Sequence, residues 1–524
     1  MGVSNAQEVP VNIVGSSTFG LYPKISIEKT FNMFISEEWL VSYAGWQKIS
    51  EIPTIKQGRG LFHSIRGGFA LGVIGSGVYR FNNSMAPQFI GNIETTSGEV
   101  SIDENLSRQI CIVDGEDAYI YDYDDTGQIT PQNLDFVPGY VAYHNTFFLI
   151  ASSPTDVNAQ LWYTFVANVG DLTLITKQDT FTLQTKPDKA LAVLRLPGRG
   201  NHVLVLGSAV AEGWTNVGGD ENYRRNSSFN IDSGTISVNT IAASEDVICW
   251  LGINENNAPA IMVTDGSQTK RISTDGIDSL MQSIVHPEQS TAFFYRQDGH
   301  LFYQITFFNV ADNISLIHDF NTDKFFHVSD ENSNFHPARQ VIYFNEKTFF
   351  ISINDGSVYQ MGNQFVTYNN SLDPDAVGST IPRVRVCKSI QLANSDKFRV
   401  GEFKFWIEQG VNDNFLVDAD TLTCDGRLIT QTGNNVIVNQ QGIQILSQTG
   451  SCATNDGRPR VDMTFSKNGN QSFSNVVSRG LNPSGKYRNQ ISWHRMGRAN
   501  EFTIQLRFWG TQRFVARDGQ ISVY

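Results

Sequence analysis

Runs of Ala, Leu, Glu and Lys that would sustain long helices are scarce in this chain, and no segment approaches the ~18 consecutive apolar residues of a membrane-spanning helix. Both absences argue against a helical bundle and against membrane insertion. Met1 to Glu8 lack a basic start followed by an apolar core, so the expectation is a soluble protein made and assembled in a cytoplasm. Only five cysteines occur, Cys111, Cys249, Cys387, Cys424 and Cys452, far apart and with no C-x-x-C. Neither a zinc site nor a disulfide framework is implied. The chain also lacks a P-loop, G-x-G-x-x-G, G-x-S-x-G and H-E-x-x-H. Asp122-Tyr123-Asp124-Asp125-Thr126-Gly127 has the front half of a calcium loop, but Asn133 stands where the bidentate Glu belongs. A polar turn is expected there, with no metal, no cofactor and no catalytic group. Carboxylate pairs for glycoside hydrolysis converge in space rather than in sequence, so that chemistry stays open although no pair stands out.

Glycine and aromatics are abundant instead: 44 Gly, 35 Phe and 17 Tyr favour strands joined by tight turns. A hydrophobic content of 40% with 17% charged residues suits a folded protein. At 524 residues, two or three domains or a repeat fold are expected. Apolar runs at 69–74 and 78–81 flank a glycine turn and read as a β-hairpin. The pattern recurs at 109–113 with 118–121, at 292–295 with 301–303 and at 349–353 with 358–360. Looser copies are 146–150 with 161–165, 203–206 with Trp214, and 247–250 with 261–263. Unequal spacing of this kind fits four-stranded blades with loops of different length. The expected fold is all-β: a β-propeller of roughly six to eight blades over 58–365, with a pair of β-sandwiches as the alternative. Residues 1–57 read as an N-terminal β segment packing on the C-terminal domain, and 366–382 as a linker. A smaller β-sandwich-like domain spans 383–524, with a polar insertion at 411–457.

Charge is uneven. Residues 464–524 hold nine Lys/Arg and two Asp/Glu, whereas the remaining chain holds 30 and 50. An acidic body with a basic end suggests that the end meets an acidic surface, although basic side chains also serve simply to solvate a sheet. Alternation near the end gives two strands. Tyr487, Ile491 and Trp493 share one face, opposite Lys486, Arg488, Gln490, Ser492 and His494. Phe502, Ile504, Leu506 and Phe508 share another, opposite Thr503, Gln505 and Arg507. The short link 496–501 predicts an antiparallel hairpin with a basic outer face. Lys486, Arg488, His494, Arg495, Arg498 and Arg507 are the candidate docking residues for a subunit or adaptor.

Just upstream, 465–473 resembles a degenerate Asp-box turn, with Ser466, Asn468, Gly469 and Phe473 as its structural residues. Short polar side chains cap backbone N–H groups, glycine permits φ > 0 and the aromatic packs beneath. Three regions together resemble the packaged-DNA stabilisation proteins of short-tailed bacteriophages, the tail nozzle or hub component. They are Glu28-Lys29-Thr30-Phe31-Asn32-Met33-Phe34, Gly58-Arg59-Gly60-Leu61 with Val78-Tyr79-Arg80, and the close formed by the turn, Gly485-Lys486-Tyr487-Arg488, Trp493-His494-Arg495-Met496-Gly497-Arg498 and Phe502–Phe508. That resemblance implies a non-enzymatic virion protein of the tail. Copies would form a homo-hexameric ring below the portal and its adaptor, continuing the channel for double-stranded DNA without sequence-specific binding. The ring would carry spikes or fibres and a terminal plug or needle. A propeller glycosidase or glycan-binding protein acting on host polysaccharide is the alternative, suggested by the Asp-box and the aromatic content.

Overall fold

The computed structural model describes residues 7–19, 28–52, 56–124, 127–219, 221–253, 258–392, 397–409, 459–481 and 489–524. The insertion expected at 411–457 lies outside them. Among the described residues, seven four-stranded antiparallel blades follow one another, the first starting at Gly58–Ser64 and the last containing Val358–Gly362. Six of the seven sequence-predicted hairpins form the two middle strands of a blade; the one at 292–303 forms the first two strands of the sixth, Ser290–Gln297 and His300–Phe307. Phe69–Ile74 with Gly77–Phe81 does so in the first, and Lys347–Ser352 with Val358–Gly362 in the last. Middle strands are covered on both faces by neighbouring blades. Phe69–Ile74, Gln109–Val113 and Ala118–Asp122 are accordingly buried at every residue. Outermost strands such as Ile175–Thr182 alternate with solvent.

The apolar clusters lie between blades rather than within them. Val73 and Val78 of the first blade pack with Ile110 and Tyr119 of the second, and Trp162 of the third packs with Trp214 of the fourth. Leu61 and Ala70 pack with Ile342 and Ile351, so the seventh blade meets the first and the ring closes. The outer strand of the seventh blade comes from the beginning of the chain: Gly45–Ser50 pairs antiparallel with Val358–Gly362. Trp46 of that strand is buried, stacks on Tyr368 at 3.5 Å and meets His336 edge-on at 5.0 Å. Burial without a counter-charge holds the His336 imidazole near pKa 3, far below its usual 6.5. A Cβ on Gly45 would lie 2.4 Å from the Thr367 carbonyl, so only glycine lets the chain enter this position. Residues 366–382 are therefore no linker. Thr367–Asn369 pairs with the closing strand and Tyr368 is fully buried, behind a polar turn whose composition concealed it.

The described residues fall into two compact units: 1–14, 36–42 and 383–524 form one, and 15–35 with 43–382 the other. The expected N-terminal segment 1–57 is thus divided, since its strand Gly45–Ser50 completes a blade. The described residues of the smaller unit form two sheets. In one, Phe514–Val523 has Phe398–Gln409 on one side and Gln7–Val11 and Trp39–Ser42 on the other, with Asn489–Ala499 beyond Phe398–Gln409. In the other, Glu501–Trp509 lies between Arg460–Ser466 and the short strands Arg383–Val386 and Ile390–Gln391. Aromatic rings fill the space between: Phe405 meets Phe508 edge-on at 6.4 Å, and Trp493 stacks on Phe403 at 5.6 Å.

Candidate functional site

The two basic-faced strands do not form the expected hairpin. Asn489–Ala499 pairs with Phe398–Gln409, and Glu501–Trp509 belongs to the other sheet. Asn500 alone separates them, too short a link for a two-residue hairpin turn. Each strand carries an apolar face, with Ile491 and Trp493 on one and Phe502, Ile504, Leu506 and Phe508 on the other, all buried. Sheets that meet face to face bury both sets, which edge-to-edge pairing would leave half exposed. The candidate docking residues are split accordingly. His494, Arg495 and Arg498 are exposed together on the strand Asn489–Ala499. Arg507 is exposed on the other sheet, its guanidinium 5.4 Å from the Trp509 ring and in register with Asp462. Lys486 and Arg488 lie outside the described residues. Arg399, not among the residues expected from the sequence, is exposed and directly opposite Arg498. The alternation of Phe398, Val400, Phe403 and Phe405 was the signal that could have found it.

The Asp-box-like turn has the expected chemistry. Ser466 is buried and its Oγ accepts from the Asn470 N–H at 3.1 Å, while Asn468 Oδ1 accepts from the Ser472 N–H at 3.1 Å. Gly469 and Asn470 both sit at φ 65. Phe473 departs from expectation: it is 38% exposed and does not pack beneath the turn. The neighbouring Phe465 finds an aromatic partner instead, stacked on Phe502 of the adjacent strand at 5.1 Å.

On the propeller axis, strands of all seven blades surround a cavity of about 370 Å³ lined by residues such as Phe62, Tyr140, Phe293, Glu99, Asp103 and Arg195. Its two carboxyls are tied into the walls. Glu99 accepts from Arg339 Nη1 at 3.3 Å and from Gln340 Nε2 at 3.0 Å, joining the entry of the second blade to the seventh. Burial pushes its carboxyl up to about 7 against the pull of Arg339. Asp103 accepts from the Tyr143 N–H at 2.7 Å and the Glu104 N–H at 2.8 Å, and burial raises it also. With these oxygens committed to neighbouring strands, both acids act as staples between blades. Asp122 Oδ1 caps the Asp124 N–H at 3.1 Å as a polar turn does, and among the described residues no group of three or more His, Cys, Asp or Glu is placed to hold a metal ion.

A family model described as bacteriophage P22 Gp10, beta-propeller, matches residues 21–365. The chain belongs to this phage-stabilisation family. The matched span includes the closing strand Gly45–Ser50 and all seven blades, so the phage-stabilisation propeller and the observed one coincide. Membership makes the protein a phage DNA-stabilisation β-propeller with a structural role in the phage. No curated protein sequence matches the chain. Among solved structures, virginiamycin B lyase from Staphylococcus aureus is similar at 11% identity and TM-score 0.41, covering 61% of this chain and 99% of the lyase. The Neurospora crassa Pan2 WD40 domain is similar at 9% identity and TM-score 0.40, covering 66% and 99%. No helix among the described residues of this phage-stabilisation protein is long and apolar enough to cross a membrane.

Proposed function

We propose that the chain is a subunit of the tail nozzle, a homo-hexameric ring below the portal and its adaptor. In that ring it continues the DNA channel, retains the packaged genome, and anchors spikes or fibres and a plug. The observation that carries this reading is the axial cavity of about 370 Å³ in a phage DNA-stabilisation propeller. Such a volume holds a small molecule. A duplex whose major groove alone is ~12 Å wide needs a wider channel, and therefore one enclosed between copies. Between 58 and 365 the sequence holds 17 Lys/Arg and 34 Asp/Glu, a net −17 that repels phosphate and lets DNA slide without sequence-specific binding. Blades sealed by a strand from the opposite end of the sequence give each subunit a stiff, edge-poor body suited to internal pressure. The protein then works in the virion tail, after assembly in the host cytoplasm, with His494, Arg495 and Arg498 facing an acidic neighbour. Adding purified chain to DNA-filled, adaptor-bearing heads that lack it tests the reading. Packaged DNA is expected to become resistant to nuclease. DNA that stays equally accessible at saturating chain overturns it.

A further inference from the structure

Four cations of the smaller unit gather in one stretch, and among the described residues no ion pair answers them. Arg399 and Arg498 are directly opposed across neighbouring strands and both exposed. Like charges so placed destabilise a strand pair. Arg495, exposed and held at φ 61, lies three residues before Arg498. Lys467 of the Asp-box-like turn reaches the same stretch: its Nζ is 2.7 Å from where a Cβ on Gly497 would stand. Gly497, at φ 90, thus both turns the strand and leaves room for the ammonium. Among the described residues no ion pair reaches any of these four. Three other cations of the unit face carboxylates: Lys404 meets Glu8 at 3.0 Å, Arg460 meets Asp462 at 3.3 Å and Arg517 meets Glu38 at 2.6 Å. The free four are gathered at a cost that a negatively charged partner would reverse.

The complementary surface exists in the same sequence. In the propeller, Asp114 is buried and fixed by Thr95 Oγ1 at 2.7 Å and the Asp117 N–H at 2.7 Å. Around it, Glu94 and Glu116 are exposed and Asp117 is half-buried, and among the described residues no ion pair reaches these three. Arg59 answers Asp114 from within the blade, its Nη2 donating to Thr95 Oγ1 at 2.7 Å, while burial, then Asp114, then Glu94 raises the Asp117 carboxyl above its ordinary range.

We propose that Arg399, Lys467, Arg495 and Arg498 of one copy seat the acidic propeller loops of a second copy, chiefly Glu94, Glu116 and Asp117. The contact joins different surfaces of identical chains, so it repeats from copy to copy and closes where the rotation allows. Guanidinium forks match carboxylates in pairs, giving orientation as well as attraction. A polyanion such as DNA shares the chemistry but is repelled by a chain whose residues 58–365 carry a net −17, which favours the protein partner. The inference rests on the ring reading. Its test counts rings on adaptor-bearing heads by electron microscopy, with the full chain. Relative to wild type, R399E/R498E is expected to lower ring yield about tenfold or more, and E94K/E116K likewise. Combining all four substitutions is expected to restore it. R399E alone, which sets an acid opposite Arg498, serves as the folding control and is expected to melt no lower than wild type. Wild type forming no rings defeats the ring reading itself. Rings from wild type and R399E/R498E in equal yield, or no restoration by the four-fold variant, defeat this interface alone. Wild-type binding of a short fluorescent duplex that R399E/R498E abolishes would assign the four cations to DNA instead.

Discussion

Glu99 shows how a single buried acid is at once a staple and a liability. Its folded-state pKa of about 7 lies above the ordinary 4.5, so the folded protein holds its proton more tightly than the unfolded chain does. The contribution is therefore full below pH 4.5 and is lost as pH rises towards 7, by on the order of 1–3 kcal/mol. His336 acts in the opposite sense. Its folded pKa near 3 means that stability is lost as pH falls below 6.5. Urea midpoints at several pH values should separate the two. The difference between wild type and Glu99→Gln is expected to change across pH 4.5–7 and to be flat above it; a difference independent of pH would refute the buried-carboxyl account.

Closure of the ring depends on one strand, Gly45–Ser50, and that strand depends on Trp46. Replacing Trp46 with Ala removes the ring stacked on Tyr368 and is expected to cost about 3–5 kcal/mol, read as a lower denaturation midpoint. A smaller effect of opposite sign is expected at the two-residue turn Asn345-Glu346 of the seventh blade, where both residues have positive φ, at 48 and 61. Glycine suits the second position of such a turn, so Glu346→Gly should stabilise by about 0.5–1 kcal/mol, checked by the same midpoint. Element by element, legibility followed burial. Middle strands buried on both faces, such as Phe69–Ile74, wrote apolar runs that marked all seven blades. Apart from Ser290–Gln297 of the sixth blade, inner strands such as Ser101–Glu104 and outer ones such as Tyr223–Ile231 mix polar with apolar residues and left no comparable trace. The closing strand was hidden for another reason: its partner lies some 300 residues away, beyond any local pattern. At the basic end, the buried positions Ile491, Trp493, Phe502, Ile504, Leu506 and Phe508 match the alternation, whereas Thr503 is buried on the face expected outward. Alternation says nothing about which neighbour a strand pairs with, and Asn500 sent the strands to different sheets.

For the whole molecule, the uneven charge was visible from composition alone, and the seven-bladed body explains what it is spread over. What composition could not reveal is that Lys467 and Arg399, from other strands, join Arg495 and Arg498, since their meeting is a product of the fold. A propeller whose axis is too narrow for a duplex and whose surface is acidic is suited to line a channel in company, not to form one alone. The most direct measurement is a cryo-electron-microscopy reconstruction of adaptor-bearing heads decorated with the full chain. The account predicts a ring of copies below the adaptor, with the channel along the symmetry axis of the ring and the propeller axes clear of DNA. Heads that bind no ring, or DNA threading the axis of a single propeller, would contradict it.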